Sequence, residues 1–159
     1  MLVVTRETPH QDDVRALLAR SDAYAAALYP AESNHLIDEA ALSARGVAFF
    51  VARIDGRALG CGAMVPDPDG GAAEIKRMFV ETEARGRGVG RALLRAIEGA
   101  ARSAGIGIVR LETGIAQPEA LGLYEADGYV RRGPFGKYRR DPLSVFMEKH
   151  LGAACSPEE

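Results

Sequence analysis

The segment from Glu74 to Ala104 constrains the fold more than any other part of the chain. Residues 74–80 (EIKRMFV) combine branched and aromatic side chains over the length of a strand, and residues 89–104 carry apolar side chains at helical spacing. Between them, at residues 85–90, lies the turn RGRGVG. The segment therefore predicts a strand, a glycine-rich turn and a long helix in direct succession.

The turn predicts an anion-binding site. A glycine-rich turn that opens a helix exposes backbone N–H groups, and the helix N-terminus adds partial positive charge. Arg85, Arg87 and Arg91 add full charges. We interpret this arrangement as a cradle for phosphate or pyrophosphate, and a purely structural left-handed turn with solvated arginines is the alternative.

Two familiar nucleotide-binding motifs do not fit this turn. The Walker pattern requires glycine, four residues and then Gly-Lys-Ser/Thr, which the segment lacks. The dinucleotide fingerprint requires G-x-G-x-x-G directly after the strand, whereas the spacing here is G-x-G-x-G after a five-residue connection. The spacing therefore argues against an ATP or GTP P-loop and against a Rossmann-type site.

The turn resembles the acetyl-CoA signature of the GNAT acyltransferases (general-control-type N-acetyltransferases). Their pattern is Arg/Gln-x-x-Gly-x-Gly/Ala, and Arg85, Gly88 and Gly90 occupy its three fixed positions. The resemblance implies acetyl-CoA as co-substrate, and no metal. The residues that it implies as CoA contacts are Met78, Phe79, Val80, Arg85, Gly86, Arg87, Gly88, Val89, Gly90, Arg91, Gln117 and Tyr124.

The order of predicted elements supports the same resemblance. Strand and helix patterns alternate as β-α-α-β-β-β-α-β-α-β-β, with a hairpin turn at Asp55-Gly56 and a parallel return after the long helix. This order matches the GNAT fold over nearly the whole chain. We expect an α/β (mixed α+β) domain at residues 1–152, with a mixed, mostly antiparallel sheet of six to seven strands, helices on both faces, and a disordered tail at 153–159.

Two local patterns give more detailed expectations. Thr8-Pro9-His10-Gln11 predicts a capped start of the first helix, with Thr8 as N-cap and Pro9 at the first helical position. The two-residue period of a strand predicts that Glu74, Lys76, Met78 and Val80 share one face of the central strand.

The resemblance also implies a general base. An amine must lose its proton before it can attack, and a lysine-type amine titrates near roughly 10.4. Glu74 matches the catalytic glutamate of the yeast histone acetyltransferase branch. Glu112 matches the base position of the ribosomal-protein N-terminal acetyltransferases and is the second candidate. Glu74 could instead pair with Lys76, Arg77 or a neighbouring strand, and Glu112 could form a cross-strand charge pair.

A second signature, LETGIAQPEALGLYEADGY at residues 111–129, supplies the remaining roles. Tyr124 matches the family's general acid, and a phenol with a pKa near roughly 10 can protonate a thiolate; a core aromatic is the alternative. Gln117 stands where the family often has asparagine, and retains the carboxamide. The resemblance places the oxyanion donor at a backbone N–H near Phe79–Val80, where the strand separates from its neighbour.

The acceptor side is less constrained. By resemblance, the segment between the first two helices walls the acceptor pocket, so Tyr29 and His35 are candidate substrate contacts, with an ordinary surface loop as the alternative. Lys76 and Arg77 flank the expected pocket and are candidates too: if they face it, they indicate an acceptor with a carboxylate, and otherwise they are solvated strand charges. We expect a small-molecule amine or an amino-acid-like acceptor. A protein Nα- or lysine acetyltransferase and a non-catalytic CoA-binding regulatory module are the competing hypotheses.

Composition excludes several partner classes. The formal net charge of −2 offers no general attraction for nucleic acid or an anionic membrane, and no apolar run approaches the length of a membrane span. His10, His35 and His150 lack metal-ligand spacing. The N-terminus lacks a signal-peptide pattern, and Cys61 and Cys155 are widely separated, so we expect a reduced cytoplasmic protein. The aromatic and basic residues of 135–140 predict a pocket rim or a homodimer contact.

Overall fold

A seven-stranded mixed sheet organises residues 1–152, the part of the chain that the computed structural model describes; the predicted tail and Cys155 lie outside it. The sheet order is β1-β2-β3-β4-β5-β7-β6, and only β4 and β5 pair in parallel. The strands are β1 (Leu2–Arg6), β2 (Ala48–Ile54), β3 (Arg57–Pro66), β4 (Ala72–Val80), β5 (Ile108–Gly114), β6 (Val130–Arg132) and β7 (Ser144–His150).

Helices cover both faces of this sheet. The helices are α1 (Asp12–Leu28), α2 (Glu39–Leu42), α3 (Val89–Ser103) and α4 (Pro118–Ala126). The order of elements confirms the predicted fold class. No helix within residues 1–152 has the length and apolarity that a membrane span requires.

Alternation along the strands divides the core into two faces. On one face, α1 and α2 contribute Val14, Leu17, Leu18 and Leu42, which pack on Phe49, Val51, Cys61 and Ala63 of β2 and β3. On the other face, α3 and α4 contribute Leu94, Ile97, Ala101 and Tyr124, which pack on Met64, Ile75, Val109, Leu111 and Met147. Burial of these side chains provides the main driving force for the fold.

The predicted start of the first helix is wrong. The helix begins at Asp12 with Gln11 as N-cap, not at Pro9. Residues 8–11 instead form a turn, in which the His10 N–H donates to Thr8 Oγ1 at 3.2 Å and Gln11 Nε2 donates to the Thr8 carbonyl oxygen at 2.8 Å. The Thr8 hydroxyl therefore accepts a hydrogen bond within this turn and does not cap the helix.

β4 contains a bulge at Arg77 and Met78, which together lie opposite the single residue Gly62 of β3. Arg77 has a φ of +59°, a conformation that residues other than glycine rarely adopt. Because a bulge adds one residue to its strand, it changes which side chains point to each face of the sheet. Side chains two residues apart across Arg77 therefore lie on opposite faces.

The predicted common face of β4 is consequently wrong beyond Lys76. Glu74 and Lys76 lie on the α1/α2 side of the sheet, opposite Ile75, which packs on α3. Met78 and Val80 pack instead with the apolar cluster around the start of α3. The bulge thus separates the charged half of β4 from its apolar half.

Backbone pairing between β4 and β5 ends before either strand does. The parallel register runs from Ala72 opposite Ile108 to Ile75 opposite Leu111, whereas β4 continues to Val80 and β5 to Gly114. The two strands therefore leave an opening between them, and the α3 N-terminus lies beside it.

Glycines in β3 let α3 approach the sheet closely. A β-carbon at Gly60 would lie 2.9 Å from Val89 Cγ1, 3.1 Å from Leu93 Cδ1 and 3.2 Å from the Phe79 carbonyl oxygen. The close approach fixes the position of the helix N-terminus relative to the end of β4.

We expect Gly60→Val to destabilise the protein by about 2 kcal/mol, because the added side chain must displace α3 or the β4 backbone. Urea unfolding measures the change. Gly99→Ala is the matched control, since a β-carbon at this α3 glycine meets nothing within 4 Å and should leave stability equal or slightly higher. An unchanged midpoint for Gly60→Val would contradict this description of the packing.

Candidate functional site

A cavity of about 480 Å³ follows the opening between β4 and β5. One end, here called the basic end, is formed by residues of the turn before α3 and of its first helical turn: Arg85, Gly86, Gly88, Val89, Gly90 and Arg91. The other, here called the carboxylate end, contains Glu74 and Glu112. The wall also includes Tyr29, His35, Lys76, Arg77, Met78, Phe79, Val80, Gln117 and Tyr124.

The basic end presents the uncapped N-terminus of α3. Gly86 and Gly88 have φ values of +78° and +80°, which favour glycine, and Gly88 is the N-cap residue. As a glycine, Gly88 has no side chain with which to cap the helix. The N–H groups of its first turn are therefore available to an anion in the cavity.

Gly90 allows α4 to approach α3. A β-carbon at this position would lie 2.9 Å from Leu123 Cδ2. The neighbouring residue of α4, Tyr124, reaches the cavity wall, as does Gln117 at the N-cap of α4. Because Gly90 has no side chain, the second signature, at residues 111–129, can lie beside the glycine-rich turn at residues 85–90.

The arginines of the motif differ in position. Arg85 lies 5.1 Å from the ring centre of Tyr24, and its Nε donates to the Val80 carbonyl oxygen at 3.4 Å. Arg91 lies in the wall with its Nε 3.6 Å from Asp127 Oδ1. Arg87 is exposed and is not part of the wall. Two of the three arginines therefore border the basic end.

The carboxylate end brings together residues of β4, β5, β7 and the loop before β7. Glu74 accepts a hydrogen bond from the Tyr138 hydroxyl and lies 3.2 Å from Lys76 Nζ. Glu112 accepts one from Ser144 Oγ at 2.7 Å, and its burial raises its pKa above the ordinary glutamate value. The two carboxylates thus have different environments in one cavity.

Lys76 is held by three groups. Its Nζ donates to the His35 carbonyl oxygen at 2.9 Å and also contacts the Tyr138 hydroxyl and Glu74. The His35 ring packs edge-on against Tyr138, with ring centres 5.0 Å apart. The segment after α1 and the loop before β7 are joined at this point.

The guanidinium of Arg77 is hydrogen-bonded to residues of α1. Its side chain is 4% exposed; NH1 donates to Asp22 at 2.6 Å and NH2 to the Leu18 carbonyl oxygen at 3.0 Å. Within residues 1–152 its Nε has no partner. The structure therefore places Arg77 at the bulge, as a link between β4 and α1.

Tyr124 and Tyr29 line the middle of the cavity. Burial, and next the charge of Glu112, raise the pKa of Tyr124, whose hydroxyl has no hydrogen-bond partner in the described part of the chain. The Tyr29 hydroxyl donates to Gln117 Oε1 at 3.1 Å and accepts from the Ala116 N–H at 3.2 Å. Tyr29 thus anchors the connection between β5 and α4.

Sequence reasoning missed three residues that position this site: Asp22, Tyr138 and Ser144. Tyr138 is 64 residues from Glu74 in the chain, and no spacing rule connects them. The only signal was the group of aromatic and basic residues at 135–140, which predicted a pocket rim without identifying the contact.

Comparison with known proteins agrees with the geometry. Residues 12–129 match the sequence profile of the acetyltransferase (GNAT) family. The chain belongs to the GNAT family. It is therefore an acyltransferase of the N-acetyltransferase type, as the resemblance implied, and its family uses acyl-CoA donors.

Three similar proteins extend this comparison. An IAA acetyltransferase of Azospirillum brasilense is 49% identical over 150 residues, which cover 94% of this chain and 98% of the relative. An uncharacterised N-acetyltransferase of Bacillus subtilis, YsnE, is 36% identical over 77% of this chain and 82% of its own. A Klebsiella pneumoniae structure described as an acyl-CoA N-acyltransferase superposes with a TM-score of 0.80 at 37% identity, covering 95% and 98% of the two chains.

We expect Asp22→Asn to destabilise this GNAT protein by about 1–2 kcal/mol, because a buried guanidinium loses its charged partner while Asp22 itself is partly exposed. Urea unfolding measures the change. Asp12→Asn is the control: Asp12 lies on the same helix in an exposed pair with Arg15 at 3.7 Å, and its loss should cost less than about 0.5 kcal/mol. Equal stabilities for the two variants would contradict the role of Arg77 as a link.

Proposed function

We propose that this enzyme transfers the acetyl group of acetyl-CoA to the primary amine of a small molecule or amino-acid-like acceptor, by direct attack within a ternary complex. One observation carries the proposal. A continuous cavity joins an uncapped helix N-terminus, bordered by arginines, to two carboxylates, and Tyr124 lies in its wall.

The basic end fits the phosphates of an acyl-CoA. The N–H groups around Gly86, Gly88 and Gly90 would bind the pyrophosphate, and Arg85 and Arg91 would neutralise its charge. The unpaired edge of β4 beyond Ile75 offers backbone groups to the pantetheine amides. Acetyl-CoA, when bound, supplies an activated acyl group as a thioester.

Glu74 is our candidate for the general base. Its carboxylate lines the cavity, and Tyr138 and Lys76 hold it in place. Glu112 is the second candidate, because burial raises its pKa towards the range in which a base works best near neutral pH. Either carboxylate would take the proton of the acceptor ammonium, directly or through water.

Tyr124 is our candidate for the general acid. Because burial raises its pKa, its hydroxyl stays protonated at neutral pH and can donate a proton to the departing thiolate. Its lack of a hydrogen-bond partner among residues 1–152 leaves that donor free for a bound molecule. A non-catalytic CoA-binding module would need neither this hydroxyl nor a cavity carboxylate.

The state of Cys61 supports direct transfer over an acyl-cysteine route. Burial raises the pKa of Cys61 to about 12, and its Sγ donates to the Arg77 carbonyl oxygen at 3.2 Å. A thiol in this state does not form the thiolate that attacks a thioester. With Cys61, the cysteine of residues 1–152, unable to attack, the acceptor amine itself is our candidate for the nucleophile.

Contacts between two segments at the carboxylate end favour a small acceptor over a protein. The segment after α1 and the loop before β7 meet through the His35–Tyr138 ring contact and through the Ser33 hydroxyl, which donates to Asp141 at 2.6 Å. A protein Nα- or lysine acetyltransferase would need an open groove here. The name of the Azospirillum relative, IAA acetyltransferase, also supports a small-molecule acceptor.

We expect Glu74→Gln to lower kcat by about 100-fold while acetyl-CoA still binds, because the variant keeps the shape of the cavity and loses the proton acceptor. Steady-state rates at pH 7.5 measure the loss. Glu112→Gln is the matched control and should lose much less. The reverse order of effects would transfer the role of base to Glu112, and full activity in both variants would remove the carboxylates from the mechanism.

We expect Gly88→Glu to abolish acetyl-CoA binding in calorimetric titration, because it adds a negative charge and a strained backbone at the anion-binding turn. Gly105→Glu is the control. Gly105 lies at the opposite end of α3, with a φ of +76° and nothing within 4 Å of an added β-carbon, so it suffers the same strain away from the cavity. Loss of binding in both variants, or in neither, would contradict the assignment of the basic end.

A further inference from the structure

We infer that the acceptor is an alkyl- or arylalkylamine that carries no carboxylate beside its amino group. The inference rests on the proposed function and narrows it, since it excludes α-amino acids from the acceptor class. It depends on which charges at the carboxylate end are already paired within the protein.

The charge of Lys76 is already paired within the protein. Its Nζ donates to the His35 carbonyl oxygen at 2.9 Å and to the Tyr138 hydroxyl, and it forms an ion pair with Glu74 at 3.2 Å. A substrate carboxylate would have to compete with Glu74 for this ammonium group.

Arg77 is not available either. Two of its nitrogens donate to Asp22 and to the Leu18 carbonyl oxygen, and its side chain is 4% exposed. The remaining arginines of the cavity wall, Arg85 and Arg91, lie at the basic end. No unpaired lysine or arginine of the wall, within residues 1–152, therefore faces the carboxylate end.

The unpaired charge of this region is negative. Among the described residues, Glu112 accepts only from the neutral Ser144 hydroxyl, at 2.7 Å, and Glu74 shares the single charge of Lys76. An α-amino acid brings its carboxylate within two bonds of the amine, so it would meet both glutamates at short range. Like charges at such distances disfavour binding, whereas the ammonium of a simple amine is attracted.

Apolar side chains complete the acceptor side. Leu36 lines the cavity and is 41% exposed, and the ring of Tyr29 forms part of the same wall. An exposed leucine at a cavity is apolar surface that a bound molecule can cover. The carbon skeleton of an alkyl- or arylalkylamine fits these contacts.

Three matched acceptors test the inference: 2-phenylethylamine, phenylalaninamide and phenylalanine. The amide keeps the bulk of the amino acid but not its charge. All three compounds are assayed at pH 8.5. We expect kcat/KM for the amine and the amide to exceed that for the acid at least tenfold. An acid that reacts as well as its amide overturns the inference.

Glu112→Gln provides a second, independent readout. The variant keeps the shape of the site and removes one negative charge, so we expect the ratio of kcat/KM for the amide to that for the acid to fall by at least about threefold, whatever its effect on the absolute rates. An unchanged ratio would show that the carboxylate charges do not exclude the acid and would overturn the inference.

Binding measurements distinguish a failure of this inference from a failure of the proposed function. If none of the three compounds is acetylated, each is titrated into the protein saturated with CoA. Tighter binding of the amide than of the acid, by at least tenfold, supports the inference, and equal binding overturns it. Absence of acetyl-CoA binding to the protein alone contradicts the proposed function itself.

Discussion

The end of backbone pairing between β4 and β5 is the constraint on which the rest of the structure depends. Backbone N–H and carbonyl groups inside a protein require partners, yet pairing ends at Ile75 and Leu111 while both strands continue. The bulge at Arg77 sets the direction of the second half of β4, and its link to Asp22 holds that bulge against α1. The result is an opening in the sheet that a ligand backbone can fill.

The two ends of this opening carry opposite charge. The basic end combines the uncapped start of α3 with two arginines, whereas the carboxylate end holds Glu74 and Glu112 against one paired lysine. A phosphate-bearing donor and a cationic acceptor are thus attracted to opposite ends of one cavity. Tyr124, which burial keeps protonated, lies in the wall that both would share. This separation of charge is the physical basis of the proposed transfer.

Local signals in the sequence predicted most of the fold. The glycine turn, the hairpin at Asp55-Gly56 and the order of elements depend on neighbouring residues, so periodicity and turn chemistry revealed them. The bulge at Arg77 did not follow from the sequence, because pairing with β3 and α1 decides it and strand alternation alone suggests the wrong face. The role of Tyr138 could not be predicted for the same reason. Its contact with Glu74 joins residues 64 positions apart in the chain and forms only when the loop before β7 folds over the sheet.

Amide hydrogen exchange with and without saturating acetyl-CoA tests the central claim most directly, because it reports where along the backbone the donor binds. We expect slower exchange at residues 78–80 and 86–91, the free edge of β4 and the turn into α3, with no change in the hairpin of β2 and β3. Unchanged exchange in both segments, or protection confined to another part of the chain, would contradict the claim that the opening between β4 and β5 is the donor site.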